Sequence, residues 1–234
     1  MDIHCVSFSG GKDSTAMLLM MLEKGMRIDR IIFVDTTKEF PELYKHIEKV
    51  QSVCPVKIET TSFDFDYFFA DYIKIKGKRK GEAGYGWADF HNRWCTMKKV
   101  EAFHRALGEI KKEDRVIEYH GIAFDEKKRV KKGTKRRELK YPLVDWEITE
   151  KQALSYCYSK GFDWDGLYEK YTRVSCWCCP MQRLKHLETI YNERPELWSQ
   201  LVEMDKKSFR QFKEKYSVAD LEKKFSKKNQ LPGE

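Results

Sequence analysis

The sequence predicts an α/β protein: a doubly wound parallel sheet, followed by a small cysteine-rich and helical C-terminal region. Two observations predict the sheet. Short apolar runs with strand character alternate with stretches of helical periodicity through the first sixty residues. The first such run passes through a glycine turn directly into a helix, the join that parallel β-α-β units require. A third observation, a cluster of Cys and Trp near residue 176, marks a change of character towards the C-terminal region. The expected division is residues 1–147 for the sheet domain and 148–234 for the remainder.

Taken in order, Ile3 to Phe8 reads as the first strand. The helix after it runs from Ser14 to about Lys24, with Met17, Leu18, Met21 and Leu22 at helical spacing and Gly25 as its stop. Arg30 to Val34 is a second strand, ending in Asp35-Thr36-Thr37. Pro41 opens a helix to Cys54, as proline prefers the first helical turn. Pro55 to Thr60 is a third strand. The segment from Lys74 to Gly86, with four Gly and many charges, predicts a mobile loop. A helix from about Thr96 to Leu107, a strand from Arg115 to Ile122 and a helix from Thr149 to Lys160 complete the regular part. The last quarter is cysteine- and aromatic-rich, then helical, and ends rich in lysine.

Composition narrows the function classes. With 41% hydrophobic and 35% charged residues the chain can bury a core, which excludes wholesale disorder. The longest apolar run, Ala16 to Leu22, is too short to cross a bilayer, and the N-terminus lacks the features of a secretory signal. A cytoplasmic protein without membrane partners is expected. In that reducing compartment seven cysteines point to metal ligands or reactive thiols rather than disulfides. The net charge of +8 is uneven, since nine basic residues lie between Lys127 and Lys140 and a smaller group between Lys74 and Lys80. Such runs are either solvated surface or a patch for polyphosphate or nucleic acid.

The loop Ser9-Gly10-Gly11-Lys12-Asp13-Ser14 follows Ser7 and Phe8 of the first strand and opens the first helix. Glycines there let backbone approach a phosphate, and the first helical N–H groups point at the anion. Lys12 adds a compact positive charge. The order of residues is neither that of a Walker A loop nor the three spaced glycines of a dinucleotide fold.

This loop resembles that of the PP-loop ATP pyrophosphatases, in the branch similar to phosphoadenosine phosphosulfate (PAPS) reductases. Further matches follow in order: Val34-Asp35-Thr36 with Glu39-Phe40-Pro41, Arg93-Trp94-Cys95-Thr96 with Lys98, Gly121-Ile122 with Asp125, Glu126 and Arg129, and Tyr141-Pro142-Leu143 with Asp145-Trp146. The resemblance implies an adenine nucleotide alpha-hydrolase-like fold that binds ATP with Mg²⁺ and splits it between the α- and β-phosphates. Lys12, Asp13 and Ser14 would be catalytic. Ser7, Ser9, Gly10, Gly11, Asp35, Thr36, Gly121, Asp125, Glu126 and Arg129 would hold the nucleotide. PAPS reductases carry a degraded loop, whereas this one is intact and looks like that of the ATP-using relatives. Adenylation of a substrate for sulfur transfer is therefore expected first, with reduction of PAPS or adenylyl sulfate (APS) as the alternative. A zinc-containing nucleotide- or nucleic-acid-binding regulator is the non-enzymatic alternative.

Cys176 and Cys179 form a C-x-x-C, a spacing that brings two thiolates to one metal. With Cys95 and Cys157 they would make four ligands for a 4Fe–4S cluster or for tetrahedral zinc, with Cys178 in reserve. Free thiols are the remaining reading. Cys95 is not paired with a second cysteine as in APS reductases, so the ligand set does not transfer residue by residue. Cys5 and Cys54 read as core. Trp146, Phe162, Trp164, Tyr168 and Trp177 read first as a hydrophobic wall around the metal and second as surfaces for base stacking, and His91 reads as a functional candidate beside Arg93. The partners expected are a nucleotide substrate, a nucleic-acid acceptor, and a sulfur donor or reductant protein. A homodimer is compatible with the sequence, which leaves the oligomeric state open.

Overall fold

A computed structural model describes residues 1–108 and 114–230, apart from the side chains of residues 229 and 230. The chain forms two compact units. The first comprises residues 1–35, 39–62 and 99–175, and the second residues 36–38, 63–98 and 176–234. The division differs from the single cut expected after residue 147. Residues 148–175 belong with the sheet, and residues 63–98 join the C-terminal helices.

The first unit is built on five parallel strands: β1 (Asp2–Phe8), β2 (Arg30–Asp35), β3 (Ile58–Ser62), β4 (Arg115–His120) and β5 (Arg137–Lys140), in the order β3-β2-β1-β4-β5. Its helices are α1 (Lys12–Glu23), α2 (Pro41–Val53), the single turn α4 (Pro142–Asp145), α5 (Glu150–Ser159) and the short α6 (Leu167–Lys170). Helix α3 (Trp94–Leu107) begins in the second unit and ends in the first. Strands β1 to β3 step one way across the sheet, and the chain then crosses back to add β4 and β5 on the other side of β1. The order reverses between β1 and β4, and their C-terminal ends open the crevice in which such sheets take ligands.

Alternation along β1 explains how the sheet is covered. Cys5 is fully buried with Ile32, Phe103 and Val116, packed on the C-terminal half of α3. Val6 and Phe8, also buried, point to the opposite face. Met17, Leu18 and Met21 form the buried stripe of α1. At one edge Glu118, only 1% exposed, takes two hydrogen bonds from Arg137, at 2.6 Å from Nε and 2.9 Å from Nη2. Burial pushes the Glu118 carboxyl up, but His120 and Arg137 outweigh it and hold the pKa down at about 2. Strand β5 was not expected from sequence. It lies within the basic run, reads Arg-Glu-Leu-Lys, and carries no apolar alternation. It is a short, charged edge strand, a form that protects sheet edges from further pairing.

The second unit joins an aromatic segment to α7 (Leu184–Glu193), α8 (Pro195–Lys207) and α9 (Val218–Gln230). Trp94, 1% exposed, stacks on Tyr85 at 5.5 Å and donates its indole N–H to the Gly86 carbonyl at 2.9 Å. Asp205 ties three pieces together. One carboxylate oxygen accepts from the Trp87 indole at 2.7 Å, and the other from the Val218 backbone N–H at 3.2 Å, at the start of α9. Tyr191, Trp198 and Phe225 interleave between the helices. The glycine-rich stretch expected to be a mobile loop is a tied turn. Lys74 and Glu82 pair through their backbones at 3.0 Å, and a Cβ on Gly84 would sit 2.3 Å from the Phe69 carbonyl oxygen.

Candidate active site

Within the first unit, the loop between β1 and α1 closes on itself. The Ser14 hydroxyl donates to the Gly11 carbonyl at 3.0 Å, and lies 3.0 Å from the Ser9 hydroxyl and 3.2 Å from the Ser9 N–H. Gly10 has φ +74° and lies so close to α2 that an added Cβ would meet Leu43 Cδ1 at 2.9 Å. Glycine is therefore required there twice over, by backbone conformation and by space. Gly121, after β4, is required by space alone, since its Cβ would fall 2.7 Å from both Cα and N of Ser14. The loops after β1 and β4 thus meet at the α1 N-terminus, where helical N–H groups lack intrahelical partners.

Three downstream residues support this loop, and sequence reasoning missed their role. The Trp164 indole donates to the Gly10 carbonyl at 2.7 Å, and the Lys12 N–H donates to the Tyr168 hydroxyl at 2.8 Å. The Cys157 thiol donates to the Lys12 carbonyl at 3.5 Å. Beneath them Trp164 stacks on His46 at 4.1 Å, and His46 Nε2 bonds the Thr15 hydroxyl at 2.9 Å. Burial lowers the His46 pKa to about 3, so this histidine is a neutral part of the scaffold. Trp164 and Tyr168, expected around a metal, instead support the loop after β1, and Phe162 packs on His46 at 5.6 Å. Trp146 lies under the Lys24 ammonium at 5.1 Å. No periodicity announced these roles, because each acts through one polar atom on backbone far away in sequence.

Lys12, 7% exposed, has its ammonium 3.1 Å from Asp13 and 3.3 Å from Glu150, a residue that the sequence did not single out. Burial pushes the Asp13 carboxyl up to about 6 against the attraction of Lys12, and Glu150 and Glu126 add to the rise. One of its oxygens, Oδ1, is buried with no hydrogen-bond partner. Asp125 accepts from the Glu150 N–H at 3.1 Å, and Glu126 pairs with Arg129. The predicted residues Ser7, Ser9, Gly10, Gly11, Lys12, Asp13, Ser14, Gly121, Asp125, Glu126 and Arg129 all lie in this unit, on β1, on α1 or on the loops after β1 and β4. Asp35, at the end of β2, accepts from the Tyr44 hydroxyl at 2.8 Å. The unpartnered Asp13 oxygen suits a single carboxylate contact to a hard divalent cation such as Mg²⁺, an ion whose other ligands are commonly phosphate oxygens and water.

Within the second unit, Cys176 to Cys179 form a turn in which the Cys179 N–H donates to the Cys176 carbonyl at 3.1 Å. The Gln182 amide clamps the turn, donating to the carbonyls of Cys176 at 3.0 Å and Trp177 at 2.8 Å. Thr36, expected to hold nucleotide, lies 3.3 Å from Cys176 Sγ, an expected metal ligand. Cys178 is buried, and Cys95 stands in the first turn of α3. Cys157 belongs to the first unit, where burial pushes its thiol up to about 12. Among the described residues no three His, Cys, Asp or Glu side chains stand close enough together to share a metal ion. Of the expected set, Cys95, Cys176 and Cys179 belong to the second unit, whereas Cys157 belongs to the first, where its thiol meets the Lys12 carbonyl. None of the seven cysteines is in a disulfide, and Cys5 and Cys54 are buried as expected. No helix among the described residues is long and apolar enough to cross a membrane.

Similarity to known proteins extends over most of the chain. An uncharacterized protein of Methanocaldococcus jannaschii, MJ0066, is 29% identical over 235 residues, which cover 92% of this chain and 43% of that protein. The chain thus spans less than half the length of this curated relative. Among solved structures, the U34-tRNA thiolase NcsA from Methanococcus maripaludis, with its 4Fe–4S cluster, aligns at TM-score 0.45 and 14% identity, covering 100% of this chain and 74% of that one. A predicted subunit of tRNA methyltransferase from Methanocaldococcus jannaschii aligns at TM-score 0.35 and 18% identity, covering 66% of this chain and 74% of that one. The phosphoadenosine phosphosulfate reductase domain matches residues 3–182, and with that match over most of its length the chain belongs to this family.

Proposed function

We propose that the chain is a PP-loop enzyme that binds ATP and cleaves it to AMP and pyrophosphate, adenylating an acceptor for sulfur transfer. The observation that carries this reading is the α1 N-terminus, where buried Lys12 and half-orphaned Asp13 meet Gly121 at the crevice of the sheet. Backbone N–H groups of Gly11 to Ser14 and the Lys12 ammonium take the β- and γ-phosphates. For that, Tyr168 yields the Lys12 N–H, and Lys12 turns from Glu150 and Asp13 towards the anion. Asp13 would give one carboxylate ligand to a Mg²⁺ carried on the phosphates, which would supply neutralisation of the pyrophosphate as it leaves. The acceptor oxygen attacks the α-phosphorus, pyrophosphate departs, and a sulfur nucleophile then displaces AMP. Catalysis by these residues is positioning and charge neutralisation.

The acceptor in this reading is a nucleic acid, supported by the exposed basic run from Lys127 to Arg136. A sulfur donor or reductant protein, the cytoplasm as compartment and a homodimer complete the proposal. The partly exposed Cys176 and Cys179 are the thiols placed for sulfur handling, and no step is assigned to a cluster or to zinc.

Pyrophosphate release is the test, measured with ATP and a mixed RNA acceptor. Lys12→Ala is expected to lower it at least 100-fold while near-ultraviolet circular dichroism stays native. Normal turnover by that variant would remove the phosphate-loop assignment. The family match favours a second reading, reduction of PAPS or APS. Sulfite release with thioredoxin, independent of ATP, would establish it instead. ATP binding without turnover, in a fold that depends on zinc, would point to the regulator.

A further inference from the structure

The second unit contains a cavity of about 730 Å³ that the phosphate loop does not use. Its lining comes from three stretches: Trp87 to His91, the residues following Cys179, and Arg210 to Tyr216. The base is aromatic and rigid. Trp87 and Phe212 are buried and meet edge to face at 4.8 Å, with the Trp87 indole fixed on Asp205. At the mouth stands Phe90, 82% exposed. A benzyl side chain left in water beside a cavity gains by covering with another flat apolar surface.

The polar groups are cationic in balance. Arg210 is anchored by Asp89 yet keeps a buried Nε without a hydrogen-bond partner. Lys213 donates to the carbonyls of Pro180 and Gln182, the second at 2.8 Å, with its pKa lowered by burial. Lys215 adds a third cation, against the carboxylates of Asp89 and Glu214. Further cations lie beyond the cavity. Phe209, next to Arg210, carries the buried Lys74 at 4.4 Å and the half-exposed Arg79 at 3.8 Å over its ring, and both pair with Glu82. Those two belong to the turn with five cations, Lys74, Lys76, Lys78, Arg79 and Lys80.

An aromatic platform, a guanidinium with a donor to spare and a flanking row of cations form the combination that recognises single-stranded nucleic acid. The ring stacks a base of any sequence, the guanidinium takes a phosphate, and the lysines follow the backbone. The volume lies in the range of pockets that enclose one small molecule. We propose that this cavity seats one unstacked nucleotide of a single-stranded nucleic-acid acceptor, the base on Phe90 and an adjacent phosphate on Arg210. The site borders Pro180, so the seated nucleotide lies next to the turn that bears Cys176, Cys178 and Cys179. This inference rests on the proposed nucleic-acid acceptor and names the place where it is held.

The test is fluorescence anisotropy of the full chain with a labelled twelve-nucleotide single-stranded RNA. Competitors are the matching duplex and free AMP. Phe90→Ala, at an exposed position, is expected to weaken strand binding about 10-fold or more, with the salt dependence unchanged. Arg210→Ala is expected to weaken it and to reduce the slope of log affinity against log salt by roughly one phosphate contact. Native circular dichroism of both variants is the control for folding. Wild-type affinity in both variants would overturn the proposal. So would displacement of the strand by AMP at equal concentration, which would make the ligand a free nucleotide, or equal binding of the duplex. A change of oligomeric state in Phe90→Ala without loss of strand affinity would make the mouth an interface between copies, and also overturns it. Lys12→Ala separates the two claims. It should abolish pyrophosphate release yet bind the strand normally. If wild type never releases pyrophosphate but strand binding depends on Phe90, the cavity stands and the enzymatic reading falls.

Discussion

Asp13 is held with one carboxylate oxygen buried and unpartnered, and burial raises its pKa from 3.8 to about 6. A shift of that size corresponds to roughly 3 kcal/mol withheld from folding when the group is ionised. Because the folded pKa lies above the unfolded one, the group favours folding at low pH and loses that contribution as pH rises from about 4 to about 6. Asp13→Asn removes the charge and is expected to raise the melting temperature at pH 7 while abolishing pyrophosphate release. The gain over wild type should shrink in melts run near pH 4. A gain over wild type no larger at pH 7 than near pH 4 would show that the buried carboxylate is already compensated. The Lys12–Asp13 pair was legible in the sequence because glycines, lysine and acid fall in one hexapeptide. Glu150, the second partner of Lys12, was not, since nothing in a helix start so far downstream points back to residue 12.

At the scale of elements, the approach of the loop after β4 to α1 depends on one missing methyl group. Gly121→Ala would place a carbon 2.7 Å from the Ser14 backbone, so the helix start or the loop must shift. Such a shift is expected to cost about 1–3 kcal/mol of stability and most of the pyrophosphate release, read by denaturant unfolding beside the activity assay. The edge pair of β4 and β5 gives a separate prediction. Glu118→Gln keeps the shape but loses the charge that Arg137 binds twice, at a cost of about 1–3 kcal/mol at neutral pH. A depressed folded pKa means that Glu118 stabilises above its ordinary 4.5, and that this is lost as pH falls towards 2. The difference between wild type and variant should therefore vanish in acid melts. Strands β1 to β4 and their helices were legible because apolar periodicity records burial on a sheet face. Strand β5 was not, because an ion pair rather than apolar burial holds it. The Lys74–Gly86 turn was misread for a related reason: Gly84 and Gly86 serve close packing, which composition does not separate from looseness.

For the whole molecule, the cysteines set the limit of what sequence could say. C-x-x-C spacing identified the Cys176–Cys179 turn, but the assignment of Cys157 to the same centre rested on residue type. Its thiol supports the Lys12 carbonyl in the other unit. Cys157→Ala is accordingly expected to leave iron, acid-labile sulfide and zinc unchanged in anaerobically purified protein, and to lower stability by about 1–2 kcal/mol. Loss of metal in Cys157→Ala, as in Cys176→Ala, would restore the four-cysteine set. The division into units was hidden for another reason. Each is assembled from three separated stretches, and composition along the chain cannot show which stretches meet.

The supports of the phosphate loop have a consequence for the timing of synthesis. The loop leaves the ribosome before its supports, since Cys157 and Trp164 follow 145 and 154 residues after the carbonyls they hold. At 5–20 residues per second, the loop waits on the order of 10 s for its last hydrogen bonds. A nascent chain stalled before residue 164 should therefore make β1 and α1 yet fail to retain ATP. Competence for nucleotide would arise late and abruptly, only once α5 and α6 had emerged.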